Sequence, residues 1–344
     1  MTNALDPNAV LALIEAAGIS VDDLVEASTT APRPRADMPT VAEYLDTVAE
    51  ATSDGARRTY STYWQRLVEK YGTLRLDEVK TSHIHALVKD TKKKASENPR
   101  SNGRHGVAAQ ENCVGAARAF FRVAVEDDLI SKNPAEPVPK PQRLPSRRRG
   151  FTDSELADLW RVTRSGGDDP VLDTLLLRFH LETGARRGGA LNLRVRDLDS
   201  KRQVILLREK NDVDRWQPVS KTLLDALLEH ARTRGASAPD DALLRALPMK
   251  GSTVGRPLTR KRYNTLVERW KKQLPWVAQH GVSIHWCRHH ATSAIERIAG
   301  FAVARAFAGH RSSAETTTTY ITAHDYEVAA AVAAYTGEPH PLAV

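Results

Sequence analysis

The chain has 344 residues, a length that suggests two domains. Hydrophobic residues make up 41%, enough for ordinary cores, and Lys plus Arg outnumber Asp plus Glu by 50 to 42, a net charge of +8 that suits a polyanionic partner without requiring one. Two distant cysteines, Cys113 and Cys287, exclude a disulfide framework and a Cys-rich zinc ribbon, no apolar run approaches a membrane span, and no basic-then-apolar leader opens the sequence, so a soluble cytoplasmic protein is expected.

Residues 1–37 read as an appendage: a short amphipathic stretch from Val10 to Leu24, then a polar, proline-containing linker with no helical or strand period. Its few basic residues, Arg33 and Arg35, argue weakly against a DNA-binding arm. Residues 38–136 read as a small helical domain. Thr40 and Glu43 form a capping-box pattern ahead of an apolar face at Val41, Tyr44, Leu45 and Val48. A second helix is predicted from about Ala56 to Tyr71, with Tyr60, Trp64, Leu67 and Tyr71 at helical spacing and Gly72 as its stop. A third starts near Ser82, and a fourth covers about Val107 to Val125. The stretch 133–149 is rich in proline and carries Lys140, Arg143, Arg147, Arg148 and Arg149 with no acid after Glu136. It reads as an extended linker, placed at 137–150, and is open to two interpretations: a solvated spacer, or an arm laid along a phosphate backbone.

Residues 151–337 form the second predicted domain, with a short tail at 338–344. It opens with a second capping box, Thr152 to Glu155, and a helix. A buried-looking helix follows (VLDTLLLRFHLET) and ends at Gly184. LNLRVRDLD, RQVILLRE and WQPVS are short, β-branched and separated by polar turns, so they read as a three-stranded antiparallel sheet. Helices resume at 221–232, 259–273, 285–298 and 301–308, with a last Ala/Val-rich one at 326–335. The fold class is therefore mainly α with one small antiparallel sheet, an α+β arrangement.

Five features of this second domain carry possible chemistry. Arg186 directly follows the helix-ending Gly184-Ala185. Lys210 lies in the polar turn between two predicted strands. His285 and Arg288 share a face at the start of a helix. His310 follows Gly309 after an apolar helix, and Tyr320 ends a run of threonines. Each alone has an ordinary structural reading: a surface arginine, a hairpin turn, a capping histidine. His285 and His289 also have zinc-ligand spacing, but no Glu sits beside His285 and the cation Arg288 lies between them, so no metal is assigned.

In this order and combination the residues resemble the tyrosine recombinase (phage integrase) family. TGARRGGALNLRVRDLD is similar to its first arginine box, HWCRHHATSA to its His-x-x-Arg box, and AGHRSSAETTTTYI to its second histidine and nucleophile box. The likeness runs over roughly 38–335 and is strongest in 180–322. It implies a helical core-binding domain and a catalytic domain that together form a C-shaped clamp on double-stranded DNA. It further implies a homotetramer on two recombination sites, an accessory DNA-bending or directionality factor, and integration or excision of a phage or other mobile element. No cofactor is implied.

The residue types suit the implied reaction. Two arginine forks, Arg186 and Arg288, can hold the non-bridging oxygens of an attacked phosphate. Tyr320 is the nucleophile, and its phosphodiester keeps the energy of the bond broken, so religation needs no ATP. Its phenol needs a base or positive field, because a free tyrosine titrates near pH ~10. His285 accepts that proton or bonds the phosphate, His310 orients the phosphate or phenol, and Lys210 protonates the leaving 5′ oxygen.

Two departures qualify the likeness: Gly189 stands where the family commonly carries an acid, and Tyr320 lies ten residues after His310 where nine is more usual. Arg187 and Tyr326 are rivals to Arg186, which the Thr-Gly-x-Arg register favours, and to Tyr320, which has the Thr-rich lead-in. The alternatives are a DNA-binding protein of this fold without catalysis, a type IB topoisomerase-like enzyme, and a zinc hydrolase on His285 and His289. The last helix either docks on a neighbouring protomer, as the family's often does, or packs on its own domain.

Overall fold

The computed structural model describes residues 37–97, 106–142, 149–209, 213–309 and 324–343. The appendage expected at 1–37 lies outside these residues except for its last position. The chain divides into two compact units, Met1–Pro145 and Ser146–Val344.

The first unit is helical: α1 Leu45–Glu50, α2 Asp54–Tyr71, α3 Thr81–Glu97 and α4 Val107–Glu126. The Thr40–Glu43 box is made, with the Thr40 amide donating to Glu43 Oε2 at 2.8 Å and the Glu43 amide to Thr40 Oγ1 at 3.3 Å. A turn separates it from α1. α4 fills the core through Val114, Ala117, Phe120, Phe121 and Ala124, and Trp64 of α2 donates its indole N–H to the Ala116 carbonyl at 2.8 Å. The proline-rich stretch begins as packed structure. Arg118 of α4 donates to the carbonyls of Glu136 (2.8 Å) and Val138 (2.9 Å), and Val138 is buried. An extended reading from residue 133 misses this, because the donors that fold the stretch back belong to a distant helix.

The second unit opens with the Thr152–Glu155 box, bonded both ways, and α5 Asp153–Arg164. α6 Pro170–Thr183 has Asp169 as its N-cap and Pro170 in its first turn, where the missing N–H costs nothing. Leu172, Leu176, Leu177 and Phe179 are fully buried, as expected for a helix apolar on most sides. After the short α7 Arg187–Leu191, three strands pair antiparallel in the order β1-β2-β3: Leu198–Asp199, Val204–Glu209 and Val213–Pro218. The first is two residues long rather than the run read from LNLRVRDLD. The Arg194 amide donates to Asp197 Oδ2 at 2.9 Å and tightens Val195–Asp197 into a 3-10 turn. Arg208 of β2 then clamps the buried Asp197 carboxylate with both arms of its fork. Leu193 goes into the core instead of into a ladder.

α8 Lys221–Thr233, α9 Arg260–Gln273 and the unanticipated α10 Pro275–His280 follow. The span α11 His285–Phe307 is broken at Gly300, whose φ of 81° and ψ of 175° belong to glycine almost alone. α12 Asp325–Thr336 packs Val328, Ala331 and Val332 against Ala291, Ile295 and Phe307 of α11. The Tyr335 hydroxyl donates to the Leu181 carbonyl at 3.1 Å, so the last helix packs on its own unit. Among the described residues no helix is long and apolar enough to cross a membrane.

Candidate active site

Arg186 sits at the junction of α6 and α7. α6 ends at Gly184 with φ of 58°, and Arg186 takes an extended conformation as the N-cap of α7, half-buried. The intervening backbone is bonded on several sides. The Thr183 hydroxyl accepts from the Ala185 amide at 3.2 Å. The Ala185 carbonyl meets His180 Nδ1 at 2.9 Å, and His180 Nε2 meets the Tyr263 hydroxyl at 2.9 Å. A carbonyl only accepts, so Nδ1 carries the ring proton and Nε2 accepts from Tyr263. His180 and Tyr263 are each 1% exposed, and burial raises the Tyr263 phenol well above its ordinary range, which keeps it a donor.

His285 is the first residue of α11, half-buried, with its ring edge-on to that of His289 at 4.9 Å. Arg288, one turn on, is 4% exposed. Its Nη1 donates to the Gly184 carbonyl at 2.7 Å and its Nη2 to the Ala308 carbonyl. One guanidinium thus joins the turn before Arg186, the His-x-x-Arg helix and the peptide that precedes Gly309 and His310. The break at Gly300 makes this possible. A straight helix would carry a residue twenty positions on about 30 Å away. Phe307, at the returning end, packs so tightly on the arginine turn that a Cβ on Gly184 would lie 2.7 Å from its ring. The chemical consequence is a guanidinium plane fixed by two carbonyls before any substrate arrives, which is what aimed electrostatic stabilisation needs.

His290 is turned to packing. Its Nδ1 accepts the Phe151 amide at 3.1 Å, and burial, then Arg297, lowers its pKa. Of the linker cations, Lys140 is exposed in the first unit. Arg149 meets an acid its own stretch lacks: both arms bond Glu155 at 2.6 Å, which holds that carboxyl down to about 2. Lys210, His310, Tyr320, Arg143, Arg147 and Arg148 lie outside the described residues. Lys210 falls between Glu209 and Val213, the last register pair of the β2–β3 hairpin. Among the described residues, no three His, Cys, Asp or Glu side chains gather in a way that could hold a metal ion.

Three neighbours were not anticipated: His180, Tyr263 and Arg215. Arg215 stands opposite Leu207 on the inner face of the sheet, beside the buried Gln217, and its Nη1 donates to Gln217 Oε1. A Cβ on Gly309 would lie 2.7 Å from Arg215 Cδ, so β3 packs directly on the Gly309 turn. A signal existed for two of them. His180 interrupts the apolar run of α6, and Arg215 occupies an inward strand position, and buried polar residues are informative where exposed apolar ones are not.

The sequence model of the phage integrase family matches residues 150–327. The chain is 30% identical over 228 residues to tyrosine recombinase XerD of Mycobacterium leprae, covering 60% of this chain and 69% of that one. It is 28% identical over 120 residues to tyrosine recombinase XerC of Pediococcus pentosaceus, covering 35% of this chain. The match spans only 40% of that XerC, and 41% of its counterpart from Listeria welshimeri. In fold it is similar to lambda integrase, solved as a tetramer bound to a Holliday junction, with a TM-score of 0.60, 16% identity and coverage of 92% of this chain and 89% of that one. It is also similar to the Tn1549 transposon integrase solved with transposon right end DNA, with a TM-score of 0.58, 18% identity and coverage of 87% and 99%.

Proposed function

The chain belongs to the phage integrase family of tyrosine recombinases, and from that premise we propose that it is a site-specific DNA recombinase that cuts and rejoins strands through a 3′-phosphotyrosyl intermediate. Arg186 and Arg288 clamp the non-bridging oxygens of the scissile phosphate and stabilise the charge of the five-coordinate transition state. Tyr320 Oη attacks the phosphorus, its proton passes to His285, and the bond from phosphorus to the 5′ oxygen breaks. Lys210 protonates that oxygen, leaving a free 5′ hydroxyl and a tyrosyl ester. His310 orients the phosphate. Attack by the 5′ hydroxyl of a second strand reverses each step, so neither water nor ATP is consumed.

The observation that carries the reading is the bracing of Arg288 between the Gly184 and Ala308 carbonyls. It gathers at one guanidinium the turn that leads into Arg186 and the Ala308 peptide, which are remote in sequence. The substrate is double-stranded DNA at paired recombination sites, bound by a tetramer, and the setting is a phage or other mobile element. The basic stretch, with Lys140, Arg143, Arg147, Arg148 and Arg149, lies along the phosphate backbone, and binding falls as salt rises. Arg149 joins it only by giving up Glu155.

Covalent capture tests this. The wild type and Tyr320→Phe are expressed in the source cells, denatured, and recovered with any attached DNA, which is sequenced. Adducts at one or two discrete loci, absent in the variant, are expected. Adducts spread over all DNA would indicate topoisomerase-like action, and DNA binding without adducts from either protein would indicate a non-catalytic binder.

A further inference from the structure

We propose that His180 and Tyr263 are positioning residues for Arg186, holding the peptide that carries it so that its fork meets the phosphate in register with that of Arg288. The inference rests on the recombinase reading above and deepens it. Three groups anchor consecutive peptide units of the turn. Arg288 holds the Gly184 carbonyl at 2.7 Å, the Thr183 hydroxyl holds the Ala185 amide at 3.2 Å, and His180 holds the Ala185 carbonyl at 2.9 Å. The last is the carbonyl of the peptide bond to Arg186 itself, so the plane it fixes sets where the Arg186 Cα–Cβ bond starts.

A histidine and a tyrosine buried to 1% exposure need bonded partners to be tolerated there. Apolar residues of similar size would pack the same space between α6 and α9 without that requirement. What the polar pair adds is a held carbonyl, with the ring fixed from its other side by the Tyr263 hydroxyl at 2.9 Å. Thus Tyr263 acts on Arg186 through two hydrogen bonds and one peptide plane, without touching substrate.

Three variants of the full chain separate this role from packing. His180→Asn puts an amide N–H near the place of Nδ1–H and keeps a donor for Ala185. His180→Gln places its amide near Nε2 and leaves that carbonyl unbonded. Tyr263→Phe removes the donor to Nε2, which leaves that nitrogen buried without a partner and the ring without the bond that fixes its position against the Ala185 carbonyl. The probe is a duplex spanning the cut site defined by covalent capture, and the readouts are adduct rate, duplex affinity and melting temperature. His180→Asn should stay within about threefold of wild type, whereas His180→Gln and Tyr263→Phe should slow adduct formation about tenfold or more at nearly unchanged affinity, since small misplacements of a catalytic group cost rate rather than binding. In an Arg186→Lys background Tyr263→Phe should add little, because both act through one group. Equal losses in the Asn and Gln variants, a loss that merely follows melting temperature, or full additivity with Arg186→Lys would overturn the proposal. Adducts at the wild-type rate from all three variants would overturn it alone, whereas no adducts from the wild type would overturn the recombinase reading and this inference with it.

Discussion

Replacing Arg288 by lysine separates bracing from catalysis. The guanidinium spans two carbonyls, of Gly184 and Ala308, that belong to segments far apart in sequence. A lysine ammonium carries its three donors on one nitrogen at the end of a flexible stem, so it cannot hold both oxygens at the spacing that Nη1 and Nη2 of the fork serve. One of them is left buried without its donor, at a cost of about 1–3 kcal/mol. For a unit of this size each kcal/mol lowers the melting temperature by about 2–4 °C. The charge is kept, so affinity for duplex DNA should change little. The loss of an aimed donor at the phosphate should slow adduct formation about 100-fold or more. Calorimetry on the apo chain and a covalent-adduct time course on the same preparations give the two numbers. A melting temperature and adduct rate both at wild-type values would refute the bracing. A lowered melting temperature with an undiminished adduct rate would leave Arg288 as a strut and refute its place on the phosphate.

Two further predictions test the framework around it. Gly300→Ala meets no atom within 4 Å of the added Cβ, so its cost is purely that of an alanine in a glycine backbone region, about 1–3 kcal/mol. It should lower both melting temperature and adduct rate, because the break returns Ala308 to Arg288. An unchanged melting temperature would show that the break is not required. His230 is buried, and burial first, then Arg234, pushes its pKa down to about 4. Its Nε2 accepts the Arg245 amide at 3.1 Å, a bond that a protonated ring cannot make. Between pH ~6.5 and ~4 the unfolded chain binds a proton that the folded chain refuses, so this contribution is full above about 6.5 and is lost as pH falls toward 4. Its size is up to about 3 kcal/mol. Urea titrations across that range should show the loss, and His230→Gln should flatten it.

Local chemistry made part of this fold and site legible in advance. The two capping boxes, the stop at Gly184 and the paired helices on either side of Gly300 follow from residues within one or two turns of each other, and sequence displays such neighbours directly. His285 and Arg288 are three apart on one helix face, so their joint use could be read without coordinates. What failed was set by distant partners. Leu191, Leu193 and Val195 alternate as a strand would, but Asp197 closes a tight turn beside them and is clamped by Arg208 from the next strand. The linker looked extended because Arg118, which folds its first part back, lies in an earlier helix. α10 is six residues long, too short to show a period. His180 and Arg215 are inward-facing polar residues whose partners, Tyr263 and Gly309, are remote in sequence.

The two arginines of the proposed phosphate clamp are braced through one turn, and that shared support bears on mechanism. Arg288 is held through its guanidinium, by carbonyls that fix the fork itself. Arg186 is held through its backbone, by bonds to the peptide units just before it. Each support passes through the same short turn, because Arg288 grips Gly184 while His180 grips Ala185. A displacement of this turn moves the base of one arginine and the anchor of the other together. The geometry between the two forks is therefore better protected than the position of either fork in the domain. A phosphate passing to a five-coordinate transition state needs its oxygens held at a constant mutual spacing, so this is the quantity to conserve. It follows that changes on the turn, at Gly184 or Ala185, should depress cleavage more than equal losses of stability elsewhere in the second unit.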